Sequence, residues 1–138
     1  MSIAYTCFTT DVIHEGHLNI IKKASEYGEV VVGVMTDETM IKFDRFPTIP
    51  FEKRMEMIEK LDGVSRVIKQ ETVMYDDVIP SLRPDYVIHG DNWLSGPLKA
   101  VRDNVEKLLS SYGGKIVDIP YTYNENVKHT DAKIREKQ

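Results

Sequence analysis

Two histidines stand three positions apart in TTDVIHEGHLNII, residues 9–21, with Glu15 and Gly16 between them. They sit where an apolar, β-branched run ends and an amphipathic one begins. The zinc-protease pattern needs histidines at i and i+4 on a formed helix. The i, i+3 spacing with a glycine inside does not match it, and no third ligand lies near in sequence. What remains is a helix N-terminus opening near Gly16. Its unpaired N–H groups and the positive end of its dipole favour an anion such as phosphate. Gly16 would let a ligand approach the backbone closely. His14 and His17 would then aim imidazole N–H donors at phosphate oxygens. The alternative is that both histidines merely pack against or cap the helix.

The loop carries neither G-x-G-x-x-G nor G-x-x-x-x-G-K-[ST], so neither a dinucleotide fingerprint nor a Walker loop is present. Further along, HGDNW (89–93) follows another strand-like run. Asp91 could accept from ribose hydroxyls or help hold Mg²⁺, and Trp93 could form an apolar wall or stack on a ligand. The competing reading makes Asp91 a turn former and Trp93 core. Arg45, Arg54 and Arg102 are candidate phosphate ligands, because a guanidinium fork matches phosphate oxygens. Arg54 lies on an amphipathic stretch, which leaves a solvated helix face as its alternative.

The elements that must position these residues alternate regularly. Strands are expected at 3–8, 29–35, 64–69, 84–90 and 115–121. Helices are expected at 18–27, from Thr36 or Asp37, over FEKRMEMIEKL, over YDDVIPSL with a break at Pro80, and at 97–112. Gly28 reads as the C-cap of the first helix, and Asp62-Gly63 and Gly113-Gly114 end two others. Strand–helix alternation repeated five times implies right-handed βαβ units. The expectation is an α/β fold: one domain over 1–138, a doubly wound five-stranded parallel sheet with helices on both faces. Ligands of such sheets sit at the carboxyl ends of the strands, beside the point where strand order reverses. Strand order itself is not legible in the sequence.

At 138 residues the chain is long enough for one real core. Its composition, 41% hydrophobic and 29% charged, is that of an ordinary globular domain. A net charge of −4 argues against nucleic acid as the partner. The single cysteine excludes an internal disulfide framework and fits a cytoplasmic location, and no apolar run is long enough to span a membrane.

Taken in order, TTD-x-x-H-x-G-H, VVVGVMTDE, FPTIPFEKRMEMIEKLDGVSRVI, PDYVIHGDNW and KIVDIPYT resemble the cytidylyltransferase-type nucleotidyltransferases, whose shared motif is H-x-G-H. Within that family the pattern resembles the cytidylyltransferases associated with phosphoenolpyruvate mutase in phosphonate biosynthesis, and the resemblance runs across nearly the whole chain. The resemblance implies a Rossmann-like fold and transfer of CMP from CTP, with Mg²⁺, to a small phosphonate such as 2-aminoethylphosphonate, releasing pyrophosphate. Glycerol 3-phosphate, phosphocholine or phosphoethanolamine is the alternative acceptor, an adenylyl donor is another variant, and a non-catalytic nucleotide-binding domain is the rival from a different class. A homodimer is also implied.

By the same resemblance His14, His17 and Arg45 are catalytic. Thr9, Thr10, Asp11, Gly16, Asp91, Trp93, Tyr121, Thr122 and Thr130 join the two histidines in binding nucleotide, while Lys42, Arg54 and Arg102 bind the acceptor. The chain departs from the family pattern in three places. Cys7 and Phe8 stand where a glycine is usual. Asp44 replaces a phosphate-binding lysine, leaving Lys42 or Arg45 to take its part. YNENVKHTDAKI replaces the final G-I-S-S/T-T, with His129-Thr130 or Thr130-Asp131 left to cap the closing helix.

Overall fold

The computed structural model describes residues 2–9, 15–42 and 46–120. Strands β1 (Ile3–Phe8), β2 (Glu29–Met35), β3 (Arg66–Gln70), β4 (Tyr86–Gly90) and β5 (Lys115–Ile119) form one sheet. Its order is β3-β2-β1-β4-β5, with every neighbouring pair parallel. Order therefore reverses between β1 and β4, which lie side by side at the centre with Tyr5 opposite Val87.

The sheet is covered on both faces, as expected. Ala4, Phe8, Val30, Val32, Val34 and Ile88 pack with Ile21 and Ala24 of α1 (Glu15–Ser25) and Ile58 of α3 (Phe51–Glu59). Tyr5, Val31 and Val87 face the other way. They meet Val78 and Ile79 of α4 (Val78–Leu82) and Val101, Val105 and Leu109 of α5 (Lys99–Ser110). Strand residues that alternate between two apolar layers must be apolar on both sides, which is why EVVVGVM carries no polar alternation. The remaining α-helix described, α2 (Asp37–Lys42), follows β2 directly.

Several local expectations are corrected. α1 runs over Glu15–Ser25 rather than 18–27, which keeps the expected helix opening near Gly16 and puts Gly16 and His17 in its first turn. Gly28 is not a left-handed cap: a Cβ there would stand 2.4 Å from the Ser2 carbonyl oxygen, so the glycine serves close approach of two backbones. Pro80 does not break α4. It is the third residue of that helix, where the missing N–H has no intrahelical acceptor anyway. The stretch at 97–112 opens with a short 3₁₀ turn, Gly96–Leu98, before α5 begins. Thr36 does cap α2, its Oγ1 accepting from the Thr39 N–H at 3.2 Å, and Gly63 and Gly113 do take positive φ, 92° and 89°.

The central strand β1 is tied to the edge strand β3 by one buried side chain. The Tyr5 hydroxyl crosses β2 and donates to Gln70 Oε1 on β3 at 2.6 Å. Both residues are fully buried, and burial, chiefly, pushes the tyrosine pKa well above its ordinary value. Gly33 is the gap through which the ring passes, since a Cβ there would fall 1.7 Å from that hydroxyl. Gly33→Ala should therefore displace a ring that has no alternative space. We expect a loss of about 1–3 kcal/mol, the usual range for overpacking, read as a lower urea midpoint with an unchanged m-value.

Candidate functional site

The reversal of strand order puts the carboxyl ends of β1 and β4 next to each other. Thr9 follows β1, Gly16 and His17 lie in the first turn of α1, and Asp91 opens the 3₁₀ turn Asp91–Trp93 directly after β4. These four expected ligands are brought to one edge of the sheet. α1 is held there by its buried face, Ile21 and Ala24 against the sheet, so its N-terminus is fixed by packing two turns away from the site. His17 rests edge-on against Phe8, ring centroids 4.8 Å apart at 70°. That contact gives Phe8 a part beneath the histidine, in the position where the resemblance leads one to expect glycine. Lys42 ends α2 with its side chain exposed. Thr10, Asp11, His14, Arg45, Tyr121, Thr122 and Thr130 lie outside the described residues.

Three expected ligands are placed differently. Trp93 is buried, with 1% of its surface exposed. His89 lies flat on the indole (3.8 Å, 9°), and Trp93 Nε1 donates to Asp118 Oδ1 at 2.7 Å. It stands behind the strand end as core rather than as an open stacking platform. Arg102 forks onto Asp118 through Nη2 (2.7 Å) and Nε (3.3 Å) and reaches Glu106 at 3.5 Å, so its charge is already paired inside the protein. Arg54 is neither on a solvated face nor open to a ligand. It is 1% exposed, its Nη2 meets Asp37 Oδ1 at 2.6 Å, and its Nε donates to the Ile49 carbonyl at 3.0 Å.

Asp118 and His89 are the residues that sequence reasoning did not single out. Burial works to raise the Asp118 pKa, but hydrogen bonds from Arg102 and Trp93, with the nearby positive charge, outweigh it and hold the carboxyl below the ordinary range. The Arg102 pKa is correspondingly raised, first by its hydrogen bond to Asp118. A signal was present: an aspartate inside the strand KIVDI must find donors or pay for burial.

A family model described as cytidylyltransferase-like matches residues 3–136. The chain belongs to the cytidylyltransferase-like family. Its relatives include the bifunctional protein HldE of Desulfatibacillum aliphaticivorans, 32% identical over 83% of this chain and 22% of that protein. They also include an FAD synthase of Methanohalobium evestigatum, 32% identical over 80% of this chain and 72% of that protein. An ethanolamine-phosphate cytidylyltransferase of Arabidopsis thaliana is 35% identical over 62% of this chain and 21% of that protein. The chain thus spans about a fifth of two of these relatives and most of the third. Among solved structures, the lipopolysaccharide core biosynthesis protein of Thermoplasma volcanium superposes with a TM-score of 0.70 at 19% identity, covering 91% of this chain and 99% of that one. Pantothenate synthetase of Thermus thermophilus superposes at 0.61 and 15% identity, over 97% of this chain and 65% of that one. Both share the fold.

For a cytidylyltransferase-like domain, Mg²⁺ is the cation the resemblance implies. Among the described residues no group of three His, Cys, Asp or Glu could enclose a metal. Mg²⁺ does not require one: one or two carboxylates together with the substrate's phosphates suffice. Among the described residues, Asp91, directly after β4, is a carboxylate at the strand ends that would fit this part. No described helix is long and apolar enough to cross a membrane.

Proposed function

We propose that this chain is a nucleotidyltransferase that moves CMP from CTP to a small phosphonate or phosphate-ester acceptor. The observation that carries the reading is the α1 N-terminus, with Gly16 and His17 in its first turn, facing the edge where strand order reverses, in a chain of this family. The acceptor oxygen attacks the α-phosphorus of the nucleotide. The bond from that phosphorus to the bridging oxygen breaks, and pyrophosphate leaves with the electron pair. The acceptor oxygen is already anionic, so no general base is required. The protein's work is in-line positioning and neutralisation of charge on the phosphates. The α1 N–H groups and the His17 imidazole supply donors at that edge, with His14 and Arg45 completing the set by resemblance. Lys42, exposed at the end of α2, is the described cation best placed to take the part of the missing family lysine. Mg²⁺ would supply positive charge to the phosphates, and Asp91 would hold it.

One relative is named for ethanolamine phosphate and cytidylyl transfer and another for FAD synthesis, so donor and acceptor both need testing. Incubation with Mg²⁺ and either CTP or ATP, against 2-aminoethylphosphonate, phosphoethanolamine, phosphocholine and glycerol 3-phosphate, should release pyrophosphate with CTP and the phosphonate. Release with a phosphate ester instead would move the acceptor within the same chemistry. Tight CTP binding by calorimetry with no pyrophosphate from any acceptor would make the domain a non-catalytic nucleotide binder.

A further inference from the structure

We infer that Asp118 is a positioning residue for the nucleotide, acting through Trp93 and His89, and that Arg102 serves it as a counter-ion rather than binding the acceptor's anion. The inference rests on the nucleotidyl-transfer reading above and assigns parts within that site. Asp118 stands on β5, beside His89 of β4 in register, and both strands end at the ligand edge. Its Oδ1 accepts from Trp93 Nε1 (2.7 Å) and from Arg102 Nε (3.3 Å), while its Oδ2 takes Arg102 Nη2 (2.7 Å). A carboxylate gripped at both oxygens cannot rotate, so Oδ1 stays aimed at the indole.

The indole in turn fixes what lies on it. The His89 ring is stacked parallel at 3.8 Å, with its Nδ1 2.7 Å from the Gly90 carbonyl oxygen. Trp93 also closes the 3₁₀ turn that begins at Asp91. Asp118, Trp93, His89 and the Asp91 turn therefore move as one unit at the end of β4. A phenylalanine at 93 would keep an aromatic ring in the core but would lose the indole N–H that sets its angle. A charge here is also more than packing needs, since an apolar residue at this half-buried place on β5 would avoid the cost of partly desolvating it. What the charge adds is a fixed direction for a side chain next to a proposed ligand of the nucleotide.

Arg102 follows from the same geometry. Its side chain is 22% exposed and already engages Asp118 and Glu106. An acceptor phosphate would have to displace both.

The test compares D118N, W93F and R102Q with wild type by calorimetry with Mg²⁺ and CTP, and by steady-state kinetics with the best acceptor of the panel above. Losing one neutral or charge-assisted hydrogen bond that sets the site should weaken CTP binding about tenfold. The KM of the acceptor should stay within about twofold of wild type, and the D118N/W93F double variant should bind CTP no worse than the weaker single, because the two act as a unit. The chain has a single tryptophan, so D118N should also shift the emission as the indole loses its anchor. Unchanged CTP affinity in D118N alongside a lowered melting temperature would overturn the inference and leave Asp118 a purely structural residue. A raised acceptor KM with unchanged CTP affinity in R102Q would likewise overturn it and return Arg102 to the acceptor. Wild-type protein that neither binds nor turns over CTP or ATP would instead overturn the nucleotidyl-transfer reading and the inference with it.

Discussion

His17→Ala is expected to lower kcat by roughly 10²- to 10³-fold, the range found when one donor to developing charge is removed from a preorganised site, while the protein stays folded. The two halves of this expectation rest on different observations. The loss in rate follows from position: His17 lies in the first turn of α1 at the reversal of strand order, where an imidazole N–H adds to a field the helix N-terminus already supplies. The small structural effect follows from packing. The ring is partly exposed and rests edge-on against Phe8, a geometry worth about 0.5–1.5 kcal/mol, so a melting temperature within a few degrees of wild type is expected. His17→Asn, which keeps a donor, should recover part of the rate. Near wild-type turnover in the alanine variant would remove His17 from the chemistry. A large fall in melting temperature would instead show that the helix start depends on the ring.

The elements were legible because each signal was local. Five apolar β-branched runs separated by amphipathic stretches specify strands and helices without reference to anything distant. Strand order was not legible, because it depends on which edge each crossover returns to, and no residue in EVVVGVM or PDYVIHG encodes that. The site was legible to the same degree. Gly16, His17 and Asp91 come soon after strand ends that any parallel sheet presents at one edge, so periodicity located them there. The arginines were misread because a guanidinium's type reports what it can bind and not what it already binds. Arg54 and Arg102 look like phosphate ligands until Asp37, seventeen residues upstream, and Asp118, sixteen downstream, are seen to hold them. Trp93 is the intermediate case: HGDNW located it at the edge, but only the fold shows that the indole faces Asp118 and the α5 layer rather than a ligand.

The Asp37–Arg54 pair yields the largest expected effect on stability, and an asymmetry that tests how the pair works. Asp37 opens α2, its Oδ1 meeting Arg54 Nη2 at 2.6 Å and its Oδ2 accepting from the Phe51 N–H at 3.2 Å, the first N–H of α3. One carboxylate therefore joins the starts of two helices. The partners differ in burial: the arginine side chain is 1% exposed and the aspartate 39%. Asp37→Ala takes the carboxylate from a guanidinium where water cannot reach it and removes a helix-start acceptor as well. Removing one partner of a buried charge pair costs about 3–5 kcal/mol, a large fraction of a domain's total stability, or a fall in melting temperature of roughly 10 °C. Arg54→Met keeps most of the stem's volume and leaves behind a carboxylate that solvent can hydrate and that still accepts from Phe51. Its expected cost is about 1–3 kcal/mol, that of losing hydrogen bonds to buried partners. Thermal and urea unfolding of the two variants should therefore rank Asp37→Ala well below Arg54→Met. The reverse order would mean that Arg54 contributes chiefly by filling space. The expected order would also explain why a side chain so suited to phosphate is unavailable to it: releasing Arg54 to a ligand would unfasten α2 from α3.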